Sequence, residues 1–226
     1  MSKKIEEPTT TGLDELNDSL TQVTQKVQDN KKIIAICSLA VVGVAVLVLA
    51  YVYFFRNPSL QKNNDSIGTA DLELALGNDS VALAQYRDLA DNGSFEASNR
   101  AALQSAILLY QQGKYEDALK YADEYSPRED VIGAGALSLK GDCLVNLDRL
   151  DEAVSAYKKA IDRSDKNPAY TPFFMMKLAR VYAAQNNHSA EADTYAAIIE
   201  QYPLYGQAHN IDVQKLLDRA QLLAAK

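Results

Sequence analysis

Charge disappears from the chain between Ile33 and Phe55, a run of 23 residues holding none. As a helix at about 1.5 Å per residue this run reaches about 34 Å, slightly more than the ~30 Å hydrocarbon core of a bilayer. Lys31 and Lys32 bound it on one side and Arg56 on the other, and Tyr51, Tyr53, Phe54 and Phe55 gather where rings favour the headgroup level. The run is too long and apolar for a buried core helix. It is also too long, and too rich in bulky aromatics at its end, for a cleaved signal peptide. The expectation is one uncleaved transmembrane helix, 33–55. Asn57-Pro58 is expected to stop it, because proline lacks an N–H and restricts the residue before it, and 56–63 is expected to be a linker.

Ahead of the span, residues 1–12 are polar. Leu13, Leu16, Leu20, Val23 and Val27 then recur at steps of three and four, with Thr11 and Asp14 placed to cap a helix. Residues 1–32 therefore read as a tail with a short amphipathic helix. That helix either docks or dimerises, giving a homodimer through 13–29, or rests on the bilayer. The span itself holds one glycine, Gly43, so no G-x-x-x-G pair supports dimerisation within the membrane.

Beyond the span the period changes. Helix-length apolar patterns alternate with short polar breaks, and no alternating strand pattern occurs. Y-Q-Q-G-K-Y-E-D-A-L (Tyr110 to Leu119) is echoed 35 residues later by V-N-L-D-R-L-D-E-A-V (Val145 to Val154), which sets Gly113 and Ala118 over Asp148 and Ala153. A period near 34 residues resembles the tetratricopeptide repeat. Small residues let paired helices approach, and an aromatic fills the wedge between pairs. Gly141, Ala153, Tyr157 and Ala160 fit these positions in one unit, Ala106, Ala118 and the turn residue Gly113 in the unit before, and Ala179, Tyr182 and Tyr195 in the unit after, with Pro203 ending its second helix. In that last unit the expected small residue falls on Glu191, which leaves its register open. The fold class expected is all-α: one transmembrane helix, then a helical solenoid over 64–226. Its units are about 64–92 (degenerate), 94–126, 130–165 and 169–202, and a helix over 205–226 covers the open end.

Composition narrows the chemistry. The 226 residues carry 23 Lys+Arg against 30 Asp+Glu, a net charge of −7, which disfavours phosphate-driven nucleic-acid binding. Two His and two Cys leave little for metal or Cys/His chemistry. His188 and His209 read as surface or terminal-helix residues and Cys143 as core. Gly133-Ala134-Gly135 lacks the strand and third glycine of a phosphate loop. Glu116-Asp117 and Asp151-Glu152 sit in first turns, where they favour the helix dipole. No enzyme, metal or cofactor is expected.

The surface left for function is the groove lined by first helices. The repeat resemblance places Arg100, Leu103, Ile107, Tyr110 and Gln111 there in one unit, Ser138, Asp142, Val145 and Asn146 in the next, and Phe173, Met176, Arg180 and Ala183 in the third. Leu103, Ser138 and Met176 stand at a position where related proteins that grip acidic tails carry Lys. The mixture suits extended, apolar-containing peptide segments.

A narrower likeness rests on the anchor with its amphipathic tail, on D-S-I-G-T-A-D-L-E-L-A-L-G-N-D (Asp65 to Asp79), G-D-C-L (Gly141 to Leu144), T-P-F-F-M-M-K-L-A-R-V-Y (Thr171 to Tyr182) and I-I-E-Q-Y-P (Ile198 to Pro203). This plan is similar to that of the YfgM-type ancillary subunits of the Sec translocon. The resemblance implies a bacterial inner-membrane protein with a periplasmic repeat domain. Its partners would be SecYEG, a membrane-anchored periplasmic chaperone or unfolded exported chains. Lys26, Lys31 and Lys32 before the span outnumber Arg56 and Lys62 after it, which favours a cytoplasmic N-terminus. The rival expectation is an envelope or division-site scaffold that self-associates through its N-terminal helix.

Overall fold

The computed structural model describes residues 12–226, and every described element is helical. The proposed Thr11 cap, and the side chains of Leu13, Leu16 and Val27, lie outside the described residues. The chain divides into one unit ending at Pro58 and a second over Ser59–Lys226.

The first unit holds α1 (Gly12–Asp29) and α2 (Lys31–Tyr51), followed by a five-residue π-helical turn, Val52–Arg56. No residue of α2 is buried. This helix is long and apolar enough to cross a membrane. The expected stop at Asn57-Pro58 and the expected linker over 56–63 are corrected: helix α3 (Asn57–Ala75) begins there, and the backbone is helical through it. The π turn supplies the physical reason. Asn57 N–H bonds to the carbonyl of Val52, five residues back, so the coil widens just ahead of Pro58. A widened turn relieves the clash of a proline ring with the preceding turn.

The second unit is a series of helical hairpins: α3 with α4 (Asp79–Asn92), α5 (Phe95–Gln111) with α6 (Tyr115–Glu124), α7 (Asp130–Asn146) with α8 (Leu150–Arg163), and α9 (Thr171–Ala184) with α10 (His188–Gln201). The four hairpins turn in the same way. Gly77, Gly113, Asp148 and Asn186 all have φ between 58° and 79°. The next residue in each case bonds five residues back, Asn78 to Glu73, Lys114 to Leu109, Arg149 to Leu144 and Asn187 to Tyr182. This is the Schellman closure, in which a left-handed residue lets the last carbonyls of a helix find donors. The degenerate first unit thus turns like the others.

Small residues lie on the buried sides of the paired helices. Ala106, Ala118, Ala153, Ala160 and Ala179 are fully buried. A methyl group added at Gly141 would lie 2.6–2.9 Å from the Tyr157 ring. Glu191 keeps the register of Ala118 and Ala153 relative to its turn, yet is completely buried. His188 Nδ1 lies 2.8 Å from its Oε2, and Arg219 donates to its Oε1 at 3.4 Å. His188 is thus engaged with a buried carboxylate rather than being a free surface residue.

The end over 205–226 is two helices, not one: α11 (Tyr205–Ala208) and α12 (Val213–Ala224). Asn210 adopts φ 53° between them, and the Asp212 side chain accepts from Lys215 N–H to start the second. Tyr205, Val213, Leu217 and Ala220 pack on Met175, Met176, Tyr195 and Ile198, covering the apolar side of the last hairpin.

Candidate functional site

The first helices of successive hairpins bring three groove segments onto one cleft of about 230 Å³. Helix α5 supplies Tyr110, α7 supplies Asp142, Val145 and Asn146, and α9 supplies Lys177, Arg180, Val181 and Ala184. Leu150 and Tyr157 of α8 complete it.

Its floor is a polar node. The Tyr157 hydroxyl donates to Asp142 Oδ1 at 2.6 Å. Lys177 Nζ donates to both carboxylate oxygens of Asp142, at 2.8 and 2.6 Å, and to Ser138 Oγ at 3.1 Å. The Asp142 and Lys177 side chains are only 20% and 22% exposed. Burial first, then the adjacent Asp142 charge and its hydrogen bond, push the Tyr157 hydroxyl pKa well above 10.0. Tyr157 is therefore a neutral donor at ordinary pH. The Lys177 ammonium also lies 4.8 Å from the centre of the Phe173 ring, within cation–π range. With two donor side chains on one carboxylate, the node locks α7, α8 and α9 together and leaves little free charge on the floor.

The rim differs. Val145 and Asn146 are exposed on α7, and Arg180 is exposed on α9. The Asn146 amide donates to the Asp142 carbonyl at 2.8 Å. The Tyr110 hydroxyl pKa is raised, by burial foremost and by Asp142, against a hydrogen bond from Asn146 that lowers it. An aromatic, an aliphatic, an amide and a guanidinium thus surround a neutralised floor, an arrangement that can hold backbone amides and mixed side chains but offers no nucleophile–base pair.

The other groove positions separate. Arg100 and Leu103 line a second cleft of about 430 Å³ beside Tyr125 and Ile132, and Arg100 is ion-paired with Asp71. Ile107 is half-buried, Gln111 is exposed, and Phe173 stands 44% exposed at the start of α9. Ser138 and Met176 are corrected: both are buried. Ser138 is covered because Lys177 reaches across to it. Met176 is taken up by the core that the last hairpin shares with α11 and α12.

Lys177 was not among the groove positions expected from sequence. Its signal was a lone base one repeat beyond Asp142, too common a pattern to select. Asp71 was missed as well, although it repeats the node at the first hairpin. Tyr86 donates to it at 2.5 Å, across the same 15-residue separation that joins Tyr157 to Asp142. Cys143, next to Asp142 in the chain, is fully buried, and burial pushes its thiol pKa up to about 12, so it stays protonated. Among the described residues no group of three or more His, Cys, Asp or Glu could hold a metal.

Comparison with known proteins agrees with this architecture. The model of the tetratricopeptide repeat-like domain matches residues 63–183, and that of the tetratricopeptide repeat matches 174–205. Among solved structures, the crystal structure of MamA protein superposes with a TM-score of 0.54 at 17% identity, covering 72% of this chain and 88% of that one. A second MamA crystal structure gives 0.52 at 15%, covering 69% and 94%. At these identities the likeness is one of fold. No curated protein matches the chain. Four hairpins with one turn geometry, small residues at their contacts and a family match over more than half of the length lead to one conclusion: this chain belongs to the tetratricopeptide repeat-like family.

Proposed function

We propose that the chain is a membrane-tethered interaction module whose α5–α7–α9 cleft holds an extended segment of another polypeptide. The repeats are a protein–protein interaction fold. The observation that carries the rest is the contrast inside the cleft: a floor neutralised by the Asp142–Lys177 pair, and a rim of Tyr110, Val145, Asn146 and Arg180 left to face a partner. A floor already satisfied gains nothing from a charged ligand, so the rim selects for apolar and amide-rich chain with one acidic group near Arg180.

The tether rests on Ile33–Phe55, with aromatic rings at one end and basic residues at both. The small Lys/Arg excess before it favours a cytoplasmic N-terminus and a periplasmic repeat domain in a bacterial inner membrane. Anchoring confines the cleft to a thin layer and so raises its effective concentration toward other membrane-bound proteins. The plan of anchor and repeats, similar to that of Sec-associated subunits, makes exported chains or a membrane-anchored chaperone beside the translocon the partners to seek first.

A photocrosslinking residue placed at Val145 in the full-length protein tests the cleft, with Ser155, exposed on α8, as the control. The expected result is a discrete crosslinked partner from Val145, lost on Arg180→Glu, and none from Ser155. Equal capture from both positions, or capture from Ser155 alone, overturns the cleft as the binding surface.

A further inference from the structure

Helix α1 leaves Leu20 and Val23 61% and 57% exposed. In the sequence, Leu13, Leu16, Leu20, Val23 and Val27 alternate by steps of three and four, so they occupy the a and d positions of successive heptads. That is a two-per-heptad seam, narrower than the broad apolar face of a helix that rests on lipid. The charges also argue against lipid. Surface-lying helices carry Lys and Arg on their polar side, but Gly12–Asp29 holds Asp14, Glu15, Asp18 and Asp29 against Lys26 alone. An anionic bilayer repels such a helix.

The same charges suit a different occupant. The four acids fall at b, c and f positions, away from the seam. The positions flanking it, e and g, are Asn17, Ser19, Thr24 and Lys26. Two copies laid side by side in register therefore set no carboxylate against another. The hydroxyls of Thr21 and Thr24 already donate to the carbonyls of Asn17 and Leu20, so neither needs a partner in the pair.

We propose that the seam of α1 pairs with the seam of a second copy of this chain, parallel and in register. The inference rests on the membrane-tether reading, because two copies anchored in one orientation can present α1 only in parallel. About two and a half heptads are short for free peptides, but confinement by the anchor supplies the missing effective concentration.

The test uses full-length protein in membranes, in a Cys37→Ser background, since Cys143 is buried. Leu20→Cys (a), Val23→Cys (d) and Gln25→Cys (f) are each oxidised and resolved without reductant, and alkaline carbonate extraction is run on the same membranes. A disulfide needs Cα atoms within about 7 Å, which seam positions meet and an f position does not. The expected result is retention in carbonate, with about tenfold more covalent dimer at Leu20→Cys and Val23→Cys than at Gln25→Cys. Retention with no dimer, or with equal dimer at all three positions, overturns the pairing and leaves the tether standing; the first of these is the outcome for a helix that lies on lipid. Release by carbonate overturns the tether and the parallel pairing with it.

Discussion

Gly141 and Gly135 lie on the same helix and face opposite demands. A methyl group at Gly141 meets the Tyr157 ring at 2.6 Å, whereas one at Gly135 meets nothing within 4 Å. Replacing glycine by alanine inside a helix gains about 1 kcal/mol of propensity, and overpacking costs about 1–3. Gly141→Ala is therefore expected to lower stability by up to about 2 kcal/mol, and Gly135→Ala to raise it by up to about 1. Urea unfolding of the two variants decides. Tyr157 adds a pH dependence. Its folded pKa is raised above the ordinary 10.0, so below that value both states are protonated and its contribution is complete. Above it the unfolded chain loses a proton that the folded chain keeps, and stability falls as pH rises. Unfolding free energy should decline beyond pH 10.0 in the native protein and less steeply in Tyr157→Phe, as followed by helical circular dichroism. These positions also show what sequence reading could reach. The demand for a small residue at Gly141 follows from the likeness of the repeat to the tetratricopeptide pattern. The burial of Ser138 and Met176 does not, because it depends on a lysine from the next repeat and on the helices that close the last hairpin.

At the scale of the element, each hairpin turns on one left-handed residue, and two of the four are not glycine: Asp148 and Asn186. Left-handed backbone costs an ordinary L-residue about 1–2 kcal/mol, less for Asn and Asp, and glycine almost nothing. Gly113→Ala should destabilise by about 1–2 kcal/mol, while Asp148→Gly should change stability by less than about 1 in either direction. Thermal unfolding of the pair checks the shared geometry, and equal losses in both would contradict it. The echo between Gly113 and Asp148 was readable from sequence. The helix through Asn57-Pro58 was not, since proline's rule against helix interiors holds for an ordinary α turn and the chain there takes a wider one. The register of α10 was equally obscure, because a buried glutamate at a small-residue site is tolerable only when His188 and Arg219 are in place beside it.

For the whole molecule, the repeats explain why binding is the function to expect: successive hairpins share their buried cores and leave a first-helix rim to solvent. Here one rim crosses three hairpins over a satisfied ionic floor. The acidic total, −7 for the chain, disfavours nonspecific capture of anionic partners, so recognition falls to the geometry of the rim. The most direct test is the affinity of the partner identified at Val145 for the intact protein and for Arg180→Glu, Val145→Asp and Ser155→Asp, with unfolding midpoints measured alongside. The account predicts that each rim variant weakens binding by about tenfold or more, some 1.4 kcal/mol, at an unchanged midpoint, and that Ser155→Asp binds as the native protein does. Undiminished binding by both rim variants, with loss in Ser155→Asp, would contradict it.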